Sequence, residues 1–223
     1  MNTHILILET TADICSAAIC RDGELVSYTF EDGKKHSSVI TLLIEKVCQE
    51  AHILLKDIQA VALNMGPGSY TGLRVGLSAA KGICYANEIP LITVNGFEIL
   101  YHLFAKQQSE VNSLLIPCIH ARKDEFFFTV LDKDGNVVES PSYLLAKDLV
   151  DYAQTNFEGF IFCGEDRDLF TKFATQNDNF KYIQTEKINA NHLAQIVHQK
   201  YIKNTFADLA YSEPLYIKEF QTY

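Results

Sequence analysis

A chain of 223 residues with 48% hydrophobic and 21% charged side chains can bury a proper core as one large or two small domains. Its formal charge of −9 argues against free-standing nucleic-acid binding, which needs clustered Lys and Arg; the basic residues come in pairs at most, Lys34-Lys35 and Arg122-Lys123. No apolar run reaches the roughly 18 residues of a membrane span, the start MNTHILILETT shows no basic leader, and the six cysteines form no CxxC, so a cytoplasmic protein with buried free thiols is expected.

In chain order, His4 to Glu9 reads as a compact strand. Ile14 to Cys20 and Leu25 to Phe30 read as two more, joined by the hairpin signal Asp22-Gly23. A helix is predicted from about Ser37 to His52, with Ser37 or Ser38 as N-cap. At roughly 100° per residue its apolar positions Val39, Ile40, Leu43, Ile44, Val47, Cys48 and Ala51 cover about half the wheel, with Leu42 outside. A core stripe needs less than that. The helix is either a core helix with a generous stripe or one that a partner also buries.

Ile58 to Leu63 reads as a buried strand that leads through Asn64, Gly66-Pro67-Gly68 and Ser69 into a helix ending near Asn87. Gly72, Gly76, Ala79 and Ala80 recur in it at helical spacing and leave one face nearly bare. Each interior glycine costs about 1 kcal/mol relative to alanine, which calls for something packed closely on that face. Two readings stay open: a glycine turn holding phosphate at a helix N-terminus, or a small-residue face docking another helix. Pro90 to Val94 is a further strand and Gly96 to Lys106 a further helix, followed by the polar run Gln107 to Ser113 as a domain boundary.

The second half repeats the outline. Leu114 to Ile119 is a strand, and Glu125 to Leu131 pairs with Val137 to Tyr143 through Asp132-Lys133-Asp134-Gly135. A helix (Ala146 to Thr155), a strand (Gly159 to Cys163), a helix (Asp166 to Ala174), a short strand (Lys181 to Gln184) and a last helix (Asn189 to Lys203) follow, then an aromatic tail. Two halves with the same order suggest a duplicated mixed α/β unit.

Chemical equipment is sparse. The GPGS turn lacks the Lys of a GxxxxGK[ST] loop and the spacing of GxGxxG. Glu9, at the end of the first strand with Thr10, Thr11 and Ser16 nearby, stands where many α/β enzymes place a carboxylate; it reads either as a ligand for a metal-bound phosphate or as a local cap. Arg74 could pair across an interface or within its own fold. His36 suits a capping or surface role better than catalysis. His192 and His198, six apart, do not share a helix face as metal ligands would. No nucleophile elbow or paired-carboxylate motif stands out.

The run NMGPGSYTGLRVGLSAAKGICYANEIPLITVNGFEIL (64–100), with ILILETTADICSAAI at the start, the His36-Ser37 helix start and PLYIK near the end, resembles the bacterial TsaB (YeaZ) family. The likeness is close over residues 1–105 and looser beyond. It implies a two-domain actin/sugar-kinase/Hsp70-like fold built on ribonuclease-H-like, mixed five-stranded sheets with helices on both faces. The expected domains are 1–106 and 107–223, with the tail from about 206 packing back on the first. It further implies a scaffold subunit of the machinery that forms N6-threonylcarbamoyladenosine at position 37 of ANN-decoding tRNAs. Such a subunit pairs with the catalytic TsaD as a heterodimer, works beside the ATPase TsaE, meets tRNA only through the complex, and forms a homodimer when alone. Two TsaD histidines that hold a metal correspond to Gly96 and Leu100 here, and neither can ligate through a side chain. The second half has His120-Ala121-Arg122-Lys123-Asp124-Glu125 in place of a second glycine turn. The reading is therefore non-catalytic, without metal or cofactor, and with weak ATP contact at most and only within the complex. The expected partner interface is Val39, Ile40, Leu43, Val47, Gly72, Leu73, Gly76 and Ala80. An anion or nucleotide contact would fall on Glu9, Thr10, Gly66, Gly68 and Ser69. The alternatives are a kinase or ATPase using Glu9 and the Gly66–Gly68 turn, and a peptidase, for which no residue set supplies a metal or nucleophile.

Overall fold

The computed structural model describes residues 3–12, 14–33, 36–107, 113–174 and 180–218, with the side chains of 36–38 set aside. In the first half the elements are β1 (His4–Glu9), β2 (Ile14–Arg21), β3 (Glu24–Asp32), α1 (His36–Ala51), β4 (Ala60–Asn64), α2 (Tyr70–Asn87), β5 (Leu91–Val94) and α3 (Gly96–Gln107). In the second they are β6 (Leu114–Arg122), β7 (Glu125–Leu131), β8 (Val137–Leu145), α4 (Ala146–Asn156), β9 (Phe160–Gly164), α5 (Arg167–Ala174), β10 (Tyr182–Gln184) and α6 (Ala194–Ile202).

The first sheet has the order β3-β2-β1-β4-β5. β1 pairs antiparallel with β2 and parallel with β4, so it lies in the middle, and Ile5 to Glu9 are buried without alternation. The β2–β3 hairpin turns through Asp22 and Gly23, both at positive φ (51° and 87°), as an Asp-Gly two-residue turn requires. One face of the sheet, lined by Leu6, Leu8, Ala17, Ile19, Val61 and Leu63, is covered by Ile40, Leu43, Val47, Leu77, Ala80 and Cys84 of α1 and α2. The other face takes α6 and the 3-10 turn before it, Ala190–Leu193, whose Ala190 N–H donates to Ser16 Oγ at 3.0 Å. The single helix expected over 189–203 is thus split: Asn189 caps the 3-10 turn through its side chain, and α6 starts only at Ala194.

The second sheet, β10-β9-β6-β7-β8, repeats this topology: β6–β7–β8 are antiparallel and β6–β9–β10 parallel. α4 and α5 cover one face over an aromatic cluster in which Phe170 stands 5.0 Å from Phe126, Phe162 and Tyr182 between ring centroids. α3 packs on β6 and β9 from the other side. Both sheets are therefore ribonuclease-H-like, mixed and five-stranded, with helices on both faces.

The compact units are 1–95 with 188–215, and 96–187 with 216–223. This corrects the expected cut at 106/107, most of whose polar run (108–112) lies outside the described residues. The reason is packing: α3 buries Phe97, Ile99, Leu100 and Leu103 and sits on strands of the second sheet, while the chain returns to the first sheet with α6. The C-terminal segment then stays on the first unit, with Ala207 N–H on Leu91 O at 2.8 Å and Leu215 N–H on Met65 O at 2.8 Å. Lys218 is in the second unit, 2.8 and 3.0 Å from the Glu125 carboxylate and over the Tyr143 ring.

That ion pair, with Arg122 assisting, holds the Glu125 carboxyl below its ordinary value of 4.5. A depressed carboxyl contributes stability above its unfolded value and loses it as pH falls through the folded one. Lys218→Met is therefore expected to lower the midpoint of urea unfolding at pH 7, with the gap to wild type closing as pH drops below about 4.

Candidate functional site at the start of the second helix

β4 ends at Asn64, and the chain turns through Gly66, at φ 106°, and a cis Gly66-Pro67 bond before Ser69 caps α2 by accepting from Gly72 N–H at 3.3 Å. The loop after β1 lies directly over this turn. Thr11 O accepts from Ser69 N–H at 2.7 Å, and Thr10 Oγ1 donates to Gly72 O at 2.8 Å. A Cβ on Gly68 would collide with the Thr11 carbonyl, one on Gly72 with the Thr10 carbonyl, and one on Gly76 with Thr10 Oγ1. The glycines exist to let the end of β1 touch the helix backbone.

Two expectations are corrected by this contact. The strip Gly72, Gly76 and Ala80 is not an outward docking face, because the chain's own β1 loop and core cover it; Leu73, Ile40, Leu43 and Val47 are buried with it, and Val39 is half-buried. The cradle of Gly66, Gly68 and Ser69 is not an open anion site either. The chain's own Thr11 carbonyl takes the Ser69 N–H that a phosphate would need, and the Ser69 hydroxyl takes that of Gly72.

Glu9 is fully buried. Its Oε1 accepts from Thr11 N–H at 2.6 Å and its Oε2 from the Asn64 side-chain amide at 2.7 Å; that amide also reaches Thr11 Oγ1 at 3.1 Å, and Asn64 Oδ1 accepts from Gly66 N–H at 3.0 Å. Burial pushes the carboxyl up from 4.5 to about 7, against hydrogen bonds from Thr11, Asn64 and Thr10 that pull it down. The group ties β1 to β4 and faces no solvent. In this structure its two oxygens are taken up by the chain's own donors.

The other candidates disperse. Arg74 lies over the Tyr70 ring, 4.1 Å from its centroid, within its own helix. The His36 side chain lies outside what the structure describes. Among the described residues no three His, Cys, Asp or Glu side chains are placed to hold a metal. Gly96 and Leu100 are buried in α3. The β6–β7 connection is a tight turn, with Lys123 at φ 49° and a His120 ring nitrogen 2.9 Å from Lys123 O. All six cysteines are free and buried.

Of what α1 and α2 do present outward, the sequence pattern sets only Leu42 apart, outside the α1 stripe; the α2 residues are missed. Leu42 is 62% exposed and Tyr85 81%. Gly82 has nothing within 4 Å of where its Cβ would stand. Ser78, Gly82 and Ala86 are exposed at successive four-residue steps. The i, i+4 spacing of small residues was there to be read, but Gly72 and Gly76 carried the same signal, and only the fold distinguishes the inward stripe from the outward one.

A family model described as "TsaD: tRNA N6-adenosine threonylcarbamoyltransferase" matches residues 31–217. The chain is similar to the tRNA threonylcarbamoyladenosine biosynthesis protein TsaB of Buchnera aphidicola, 26% identical over 67% of this chain and 68% of that protein. It is similar to the Escherichia coli protein of the same name, 26% identical over 60% of this chain and 57% of that protein. These alignments span little more than half to two thirds of the relatives' length. The structure of YeaZ from Pseudomonas aeruginosa superposes with a TM-score of 0.76 at 19% identity, covering 96% of this chain and 99% of that one.

The two kinds of glycine make opposite expectations. Gly72→Ala should destabilise the chain by about 2 kcal/mol or more, through overpacking against the Thr10 carbonyl. Gly82→Ala, in open space on the same helix, should stabilise it by about 1 kcal/mol. Urea unfolding of the two variants checks the pair.

Proposed function

The chain belongs to the TsaD family of tRNA N6-adenosine threonylcarbamoyltransferases, and its TsaB relatives place it with the tRNA threonylcarbamoyladenosine biosynthesis proteins; from that premise we propose that it is a non-catalytic subunit that docks a TsaD-type transferase. The observation that carries the reading is the filled cradle. A member that turned over ATP would need free amides at the glycine turn and an accessible carboxylate at the end of β1. Here Thr11 O satisfies one of those amides and Glu9 is sealed in. The chain accordingly takes no metal or cofactor of its own, and any nucleotide contact belongs to the assembly. No helix among the described residues is long and apolar enough to cross a membrane, and the proposed work on tRNA is cytoplasmic.

Docking runs through the outward faces of α1 and α2. Leu42 and Tyr85 supply apolar and aromatic anchors, and Ser78, Gly82 and Ala86 supply a low strip on which a partner helix can lie. The occupant is the TsaD-type subunit, because the family model shared with it spans all of α1 and α2, so both partners bring a related pair of helices to the contact. A second copy of this chain fits the same face when the transferase is absent. ATPase and tRNA contacts come through the complex, since the charge of −9 gives no basic surface for RNA.

The test is co-elution with the TsaD-type protein of the same genome, followed by reconstituted tRNA modification with and without this chain. Leu42→Asp combined with Gly82→Arg should weaken the complex at least tenfold and abolish stimulation, with the thermal midpoint of the isolated chain not lowered, since Arg at the open Gly82 position favours the helix. Undiminished co-elution of that variant sinks the interface. Micromolar Mg-ATP binding by the isolated chain in calorimetry sinks the non-catalytic reading.

A further inference from the structure

The geometry points to a proton-operated latch at the start of α2, made of Glu9, Thr11 and Asn64. Three observations carry it. The carboxyl has no exposed surface. It closes a ring of short bonds: Thr11 N–H and the Asn64 amide on its two oxygens, Asn64 Oδ1 on Gly66 N–H, and Thr11 O on Ser69 N–H, so β1, β4 and the first turn of α2 meet in it. Finally, the forces on the carboxyl are burial on one side and hydrogen bonds on the other, with no charged partner among them. A buried acid held by hydrogen bonds alone is balanced between its two forms.

Ionisable residues stand on the elements packed around β1. From β2 the ionisable neighbour is the Cys15 thiol, which burial and Glu9 itself push up to about 11, so it stays neutral. From the 3-10 turn the ionisable residue is His192, half-buried. From the first turns of α2 they are Tyr70 and Arg74, stacked on one another. The Thr11 hydroxyl hydrogen-bonds to the carboxyl and favours its charged form, pulling the carboxyl down against burial.

The direction follows from linkage. Closed, the carboxyl titrates near 7; open to water, it returns toward 4.5. The closed latch therefore binds the proton more tightly, and raising the pH favours opening, about tenfold between pH 6 and pH 8. Opening frees the 10–12 loop from the Gly66–Ser69 turn and loosens the first turn of α2. This device belongs to the fold of the first unit and does not depend on which partner α2 meets.

Amide hydrogen exchange on the full chain, corrected for base catalysis, reads the latch at Thr11, Gly66, Ser69 and Gly72. Protection of these four amides should fall together about tenfold from pH 6 to pH 8, with a midpoint near 7. Glu9→Gln should remove the dependence. Thr11→Val, which keeps the shape and deletes one donor, should keep the dependence and move its midpoint upward. Protection in the wild type that is flat across this range overturns the proposal, as does the same dependence persisting in Glu9→Gln. A Glu9 carboxyl carbon that titrates below pH 5 by NMR overturns it as well.

Discussion

The end of β1 and the first two turns of α2 approach until backbone touches backbone. Thr10 and Thr11 lie where side chains of residues 68, 72 and 76 would be, and the hydrogen bonds from Ser69 N–H to Thr11 O and from Thr10 Oγ1 to Gly72 O need that separation. Everything else in the first unit follows from it. β4 must end in a residue that bridges the two loops, and Asn64 does so with both ends of its amide. α2 must accept the helix penalty of glycine twice, about 1 kcal/mol each, offset by burial of Leu73, Leu77, Ala80 and Cys84 along the same side.

The same close approach decides the chemistry. A glycine turn before a helix is an anion site only while its amides are unoccupied. Here a carbonyl of the same chain occupies one, and the neighbouring carboxylate is spent on holding the loop in place. The duplicated second unit solves the same problem differently. Its β9 ends in Gly164, where a Cβ would collide with the Cys118 carbonyl of β6, and the Tyr182 hydroxyl lies beside it. The helix that follows, α5, is only eight residues long and rests on rings rather than on backbone. One topology thus carries two different packings at equivalent strand ends, polar in the first unit and aromatic in the second.

With its inner side committed to the fold, α2 has only its outer side to offer a partner. The face is lean: Ser78, Gly82 and Ala86 in a row, with Tyr85 and Leu42 of α1 standing exposed. A helix-interior glycine with open space around it contributes nothing to the stability of the isolated chain. Its place is understandable in the proposed assembly, where a partner helix would lie against that strip.

Much was legible from sequence. Alternation and continuous apolar runs located the strands, Asp22-Gly23 set the first hairpin, and the repeat of strand order predicted a duplicated sheet, because these depend on local periodicity and turn chemistry. The free buried thiols followed from Cys spacing. The sequence could also show that small residues recur along α2. It could not show toward what, because Gly72, Gly76 and Ala80 and the outward Ser78, Gly82 and Ala86 obey the same helical spacing. Which stripe faces inward depends on where Thr10 sits, 62 residues away from Gly72 along the chain. The unit boundary was hidden for the same reason, since α3 and α6 are each attached to one sheet in sequence and packed on the other's strands. The burial of Glu9 likewise arises only when β1, β4 and α2 converge, and that convergence is a property of the tertiary structure alone.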